Sequence, residues 1–160
     1  MKEIRSQFRL DWHGIHGAPH WARVRFHGIS LARAEKVDTR IPALFALLHD
    51  SQRRNDGHDP DHGPLAAEYA VWLRKRGLIE LDNQAFSLLL QACRGHSDGL
   101  MDADRRVQVC WDADRLDLGR VGIFPDARRL CTPSARCPAR IERAWLWSRG
   151  RVDKICRAPA

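Results

Sequence analysis

Apolar positions recur three and four residues apart over most of this 160-residue chain, the spacing that gives a helix one buried face. Six stretches carry the pattern, each with a start or stop signal beside it. Pro19 suits the first turn of a helix through HWARVRFHGISLARAEKV, where its missing N–H costs nothing, and Pro42 does the same for IPALFALLHD. Asp61 opens PLAAEYAVWLRKR, which stops at Gly77, and Asp82 opens AFSLLLQACR, which stops at Gly95. RVQVCWDADRLDL ends near Gly119, and a last helix starts at Pro138 and covers ARIERAWLWSR as far as Gly150. Strand signals are scarce: the Asp56-Gly57 pair sits in RRNDGHDPDHG, a polar run without β-branched flanks. The pattern predicts a compact all-α domain of five or six helices, with loops around residues 51–61 and 119–134.

Polar residues that fall on apolar faces are the informative ones. His20, Val24, His27 and Leu31 share one helical face, which should point inward. His49 and Asp50 end a helix made apolar nearly all round by Phe45, Leu47 and Leu48, and buried polar groups there need partners. In the fifth helix, Val107, Cys110, Trp111 and Leu118 form a stripe that contains Asp114, with Asp117 at its edge and Asp112 well away from it. A carboxylate on a core face is either paired with a cation or bound to a metal. His20, His49, Asp50 and Asp114 together offer two imidazoles and two carboxylates, a donor mixture that suits Mn²⁺, Fe²⁺, Ni²⁺ or Zn²⁺ better than a thiolate-selecting metal. His13 and His16, in DWHGIHGAPH, flank the site and either line its mouth or, as loop histidines usually are, stay solvated, and Trp145 and Trp147 read as packing residues. Cys131, Cys137 and Cys156 lack a C-x-x-C pair, so they read as structural or free thiols.

A histidine in HWARV, the doublet in LFALLHDSQR and an aspartate in DADRLDLGR resemble, in that order, the H…HD…D pattern of the HD superfamily of metal-dependent phosphohydrolases. The resemblance runs from residue 20 to about 120 and implies an HD-domain helical bundle. It implies that His20, His49, Asp50 and Asp114 bind a divalent metal, with Asp112 the rival for the last position. It also implies that His62, with His58 as fallback, and His96 hold a second ion or contact substrate phosphate. The metal would be one or two ions of Mn, Fe, Ni, Co, Mg or Zn. The activity implied is hydrolysis of a phosphate ester of a nucleotide or related small metabolite, with metal-activated water as nucleophile and Asp50 also taking up its proton. Arg23, Arg53, Arg54, Arg115 and Arg120 are the candidate phosphate clamps, of which Arg23, Arg54 and Arg120 are carried forward with Asp50 as the catalytic set. Two alternatives share the fold: a di-iron oxygenase with four histidines and two aspartates, and a non-catalytic nucleotide-binding or interaction module.

Composition adds bounds. No run reaches the ~20 apolar residues of a membrane span, and the first ten residues carry charges throughout, unlike a signal peptide. Five cysteines do not look like a disulfide framework, which points to a reducing cytoplasm. The net charge of +7 first suggests nucleic acid. Residues 136–160, however, hold seven Lys/Arg against Glu142 and Asp153, which leaves a surplus of only two on residues 1–135. The expectation is therefore an HD domain over 1–135, with 136–160 a basic C-terminal helix or tail packed on it or appended to it. The partner expected is a small phosphorylated substrate, a nucleotide first, with no membrane, nucleic acid possible but not favoured, and an oligomer left open.

Overall fold

A computed structural model describes residues 2–150, which form seven α-helices and no strand. In chain order these are α1 (Lys2–Gln7), α2 (Ala18–Ala34), α3 (Arg40–Leu48), α4 (His62–Lys75), α5 (Asn83–Gly95), α6 (Arg105–Leu116) and α7 (Pro138–Ser148). Two 3-10 turns, Leu118–Val121 and Ala127–Arg129, lie between α6 and α7, in the span expected to be a loop. Six of the helices follow the apolar pattern. The seventh, α1, buries only Ile4 and is too short to show a period.

Local chemistry sets the boundaries. Pro19 sits in the first turn of α2 and Pro138 opens α7. The Asp82 carboxylate accepts from the Ala85 N–H at 2.8 Å, capping α5. Gly77 follows α4 at φ +71°, the left-handed conformation that glycine adopts without strain. Asp61 precedes α4 as expected but makes no side-chain cap.

Helix α3 is the hub, packed against α2, α4, α5 and α6. A helix enclosed on so many sides can have no polar face, which is why RIPALFALL is almost wholly apolar. Ile41, Phe45 and Ala46 are fully buried, and a side chain the size of Phe45 contributes about 1.5–3 kcal/mol by leaving water. The enclosed helix stops at Leu48, so the His49-Asp50 doublet emerges at the centre of the molecule and not at its surface. Helix α6 is also buried on more than one stripe, with Val109, Ala113 and Leu116 covered as well as Val107, Cys110 and Trp111. The Trp111 indole N–H donates to the Ala92 carbonyl at 3.1 Å and ties α6 to α5.

Helix α7 packs on the first 3-10 turn and on α6, burying Ile141 and Ala144. Its Arg140 donates to Ser30 Oγ at 2.9 Å, and Trp147 lies edge-on against Phe26 and His27, so the tryptophans of this helix do pack. The contact is close at Gly119, where a Cβ would stand 1.9 Å from Ser148 Oγ. Residues 151–160, with Arg151, Lys154, Arg157 and Cys156 of the basic segment, lie outside the described residues. Cys93, Cys110, Cys131 and Cys137 are free thiols. No helix among the described residues is long and apolar enough to cross a membrane.

Candidate metal centre

Five helices and the residue after the α3 cap, Asp50, deliver imidazoles and carboxylates to one point. His20 comes from α2, His49 caps α3, His62 opens α4, His96 caps α5 and Asp114 sits near the end of α6. The four imidazoles and Asp50 are all buried. His20 Nε2 and His49 Nε2 are 3.0 Å apart, and each lies 3.5 Å from Asp50 Oδ2. On the other side of the same carboxylate, His62 Nε2 and His96 Nε2 are 2.8 Å apart and stand 3.4 and 3.7 Å from Asp50 Oδ1. Two trios, His20-His49-Asp50 and Asp50-His62-His96, thus share one aspartate, one oxygen to each.

The opposite ring nitrogens fix what the Nε2 atoms can be. His49 Nδ1 faces the Phe45 carbonyl at 3.2 Å, His96 Nδ1 faces the Cys93 carbonyl at 2.7 Å, and His62 Nδ1 contacts the Asp59 carbonyl. His20 Nδ1 faces Asp117 Oδ2 at 2.6 Å. Carbonyl and carboxylate oxygens only accept, so each Nδ1 donates, and a neutral ring then presents a lone pair at Nε2. Two such lone pairs 3.0 or 2.8 Å apart repel unless a cation or a proton lies between them. Asp114 adds a further unsatisfied acceptor: its Oδ1 is buried with no hydrogen-bond partner, 3.3 Å from His20 Nε2 and 3.8 Å from His49 Nε2. Nitrogen and carboxylate donors converging with orphaned lone pairs are what a divalent transition metal takes up. By this test the residues fit the ion that the resemblance implies.

Electrostatics point the same way. Burial pushes the Asp50 carboxyl up, but His49 and the bonds from His16, His20 and His96 outweigh it and hold the group well below the usual carboxylate range. Burial also opposes ionisation of Asp114, yet Arg120 and His20 keep it strongly acidic. Burial drives the His49 imidazole down to about 3, which keeps it neutral. For His20, burial and Arg120 favour the neutral ring, but the neighbouring carboxylates of Asp114, Asp117 and Asp50 prevail and raise it to about 9. Without metal, the stability this proton contributes is fully present below pH 6.5 and is lost as pH rises through about 9. Metal needs the ring neutral, so metal and proton compete. Metal affinity is therefore expected to rise about tenfold per pH unit below pH 9 for this one displaced proton, then to level off. Calorimetric titrations at several pH values check this, and an affinity flat from pH 6 to about 9 would contradict it.

Three residues outside the metal and catalytic sets read from the sequence border the cluster. His16 is buried, not solvated, and its Nδ1 donates to Asp50 Oδ2 at 3.0 Å. A tight turn at Gly17, where a Cβ would stand 2.3 Å from the Trp12 carbonyl, folds His16 back onto the cluster. Phe8, Trp12 and Trp21 anchor that turn edge-to-face. Asp117, fully buried, accepts from His20 and also from Arg23, whose Nε and Nη2 reach it at 2.6 and 3.0 Å. Arg53, named with the clamps but not carried into the catalytic set, donates from Nε to Asp50 Oδ1 at 2.9 Å.

The remaining sequence candidates divide. Arg120 borders the cluster, with Nη2 3.6 Å from Asp114 Oδ1 and a buried Nε that lacks a partner. Arg23 is engaged by Asp117, and the Arg54 side chain is exposed; neither lines the cavity described below. Arg115 is tied to the carbonyls of Arg129 and Leu100 at 2.9 and 2.6 Å. Asp112 is not on a solvent face: it is fully buried, and it accepts from Cys131 N, Thr132 N and Thr132 Oγ1 at 2.6, 2.8 and 2.7 Å. The 131–132 segment covers that side of α6, so Asp112 holds a loop while Asp114 faces the histidines. His13 and His58 are exposed, away from the cluster.

The second trio depends on a close approach of α4 to the end of α5. A Cβ on Gly63 would stand 2.7 Å from the Cys93 carbonyl and 2.9 Å from that of Arg94. Both obstacles are backbone, which cannot swing aside. Gly63→Ala is expected to cost about 1–3 kcal/mol and to draw His62 away from His96. The signature is a lower melting temperature with weaker metal binding in a calorimetric titration; wild-type behaviour in both would contradict it.

No family model and no curated protein matches the chain. Among solved structures it is similar to the crystal structure of a predicted HD superfamily hydrolase from an uncultured Thermotogales bacterium. The two are 25% identical, with a TM-score of 0.68 over 97% of this chain and 88% of that one. The chain has the all-helical HD-domain fold of that structure, with a buried His/Asp cluster at its centre that could hold a metal ion.

Proposed function

We propose that this protein is a metal-dependent phosphohydrolase that cleaves a small phosphate ester. His20, His49, Asp50 and Asp114 would hold one divalent cation, and His62 and His96, sharing Asp50, would hold a second. The observation that carries the reading is the pair of buried trios meeting at one carboxylate, beside a cavity lined by Arg53 and Arg120. The hydrolase description of the Thermotogales structure supports it. A bound divalent cation supplies acidification of water and neutralisation of charge at phosphoryl oxygens.

The chain's own groups do the rest. Arg120, with a buried Nε that lacks a partner, offers a planar fork to non-bridging oxygens. Arg53 is held to Asp50 and to the Asn55 and Gly57 carbonyls, so its charge is fixed beside the same oxygens. Asp50 would hold the centre, and its strong acidity leaves it a poor proton acceptor; His16, which lines the cavity and bonds to Asp50, is the group placed to move the proton lost from water. The decisive experiment is metal analysis followed by phosphate release from simple esters with Mn²⁺, Co²⁺, Ni²⁺, Fe²⁺, Zn²⁺ and Mg²⁺. Release that is insensitive to chelator, or unchanged in His49→Ala, would refute the reading.

A second reading rests on the count of groups: four histidines with Asp50 and Asp114 equal the ligand set of HD-fold di-iron oxygenases. A coloured, iron-loaded protein with a mixed-valent EPR signal would favour it. A colourless protein active with Mn²⁺ under anaerobic conditions favours hydrolysis.

A further inference from the structure

The cavity beside the cluster encloses about 770 Å³, and its two sides differ in chemistry. One side is His16, Asp50, His96 and Asp114. The other is the segment after α6, where Leu118, Val121, Ile123, Phe124, Pro125 and Leu130 line the space. Val121, Ile123 and Phe124 are 41, 54 and 56% exposed, so large apolar surface stands open to solvent at this wall. Surface of that kind in a cleft is ordinarily covered by a ligand.

The wall is built rather than loose. Gly122, at φ +82°, reverses the chain after the first 3-10 turn, and the Ile123 N–H returns to the Leu118 carbonyl at 3.2 Å. The Phe124 ring is braced by Trp145 of α7 with centroids 5.5 Å apart. The glycine contact at Gly119 lets α7 press against the same turn.

Away from the cluster the charged lining residues Asp56 and Arg129 are exposed and have no side-chain partner among the described residues, while the others are occupied. Asp126 is taken up by Arg128, and Arg115 by backbone carbonyls. No Asn, Gln, Thr or Tyr side chain is among the described lining residues, and Ser97 supplies the single hydroxyl. Reading a nucleobase requires paired donors and acceptors along its edge, because an unpaired polar edge is costly to bury. Apart from the guanidinium groups of Arg128 and Arg129, which carry donors only, this wall offers carbon instead.

We propose that the substrate is a phosphate monoester whose alcohol part is a bulky apolar group seated on Val121, Ile123 and Phe124, and not a nucleoside. This rests on the phosphohydrolase reading for the phosphate end and deepens it at the other.

Non-hydrolysable phosphonates separate the two claims. Calorimetric titration of the Mn²⁺-loaded protein compares methylphosphonate, 1-naphthylmethylphosphonate and the phosphonate analogue of adenosine 5′-monophosphate. The naphthyl compound is expected to bind on the order of 50-fold tighter than the methyl compound, from burial of its ring, and tighter than the nucleoside. The double variant Ile123→Ala/Phe124→Ala should lose about tenfold of that advantage and bind methylphosphonate as before. Both side chains are more than half exposed, so a melting curve should show the fold intact; if it does not, Val121→Ala, read in the same way, replaces the double variant. The proposal is overturned if the naphthyl compound binds no tighter than the methyl one, if the nucleoside analogue binds tightest, or if the variants leave the preference untouched. Clear preference for the naphthyl phosphonate without hydrolysis of any ester would sustain this inference and remove the hydrolase reading. Hydrolysis without the preference would do the reverse.

Discussion

Asp50→Ala is expected to abolish tight metal binding and to lower phosphate release by about 10³-fold or more, some 4 kcal/mol of barrier. No other residue belongs to both trios: Oδ2 serves His20 and His49 while Oδ1 serves His62 and His96. Truncation thus removes a ligand from each trio at once, whereas loss of any one histidine leaves the other trio whole. The charge matters as much as the oxygen atoms. Five imidazoles and the Arg53 guanidinium surround this carboxylate in a buried space, and without it a divalent cation would add to uncompensated positive charge. Asp50→Asn keeps the shape and removes the charge, so it should fall nearly as far. Metal content after dialysis and phosphate release read the two effects separately, and circular dichroism checks that the helices remain. A variant that retains its full metal complement, or releases phosphate within tenfold of wild type, would show that Asp50 does not hold the metal.

The helices were legible because burial on one face leaves a periodic trace, and the doublet because His49 and Asp50 follow an apolar run with no polar face to use. His20 and Asp114 announced themselves as polar residues on apolar stripes. The misreadings share one cause: burial from outside the helix leaves no trace in that helix's own period. Asp112 sits off the stripe of α6, yet the 131–132 segment covers it and consumes both its oxygens. His16 lies in a segment without periodicity, and only the turn at Gly17 carries it back to Asp50. Arg54 and Arg53 are adjacent in a polar loop, where nothing in the sequence says which of them turns inward. The apolar wall was hidden for a related reason, since VGIFP is too short and irregular to register as an element.

Asp117 was within reach of the pattern. His20 and Arg23 are three apart on α2, and Asp114 and Asp117 are three apart at the end of α6, so each pair projects from one side of its helix. Packing α2 on α6 then sets one acid toward His20 Nε2 and the other toward His20 Nδ1. The carboxylate on Nδ1 fixes the ring's tautomer and orientation and raises its basicity, the effect of a carboxylate behind a metal-binding histidine. Asp117→Asn should therefore weaken metal binding by about 10–100-fold although Asp117 belongs to neither trio. It should also lower stability by about 3–5 kcal/mol, because Arg23, only 16% exposed, loses the charge that both of its donors address. The two losses are separable. In Arg23→Met/Asp117→Asn the buried cation is gone as well, so much of the stability should return while the metal affinity stays low. Calorimetry with Mn²⁺ and thermal melts of the single and double variants measure both. If affinity recovered together with stability, Asp117 would be acting through the fold alone, and its bond to His20 would have no part in holding the metal.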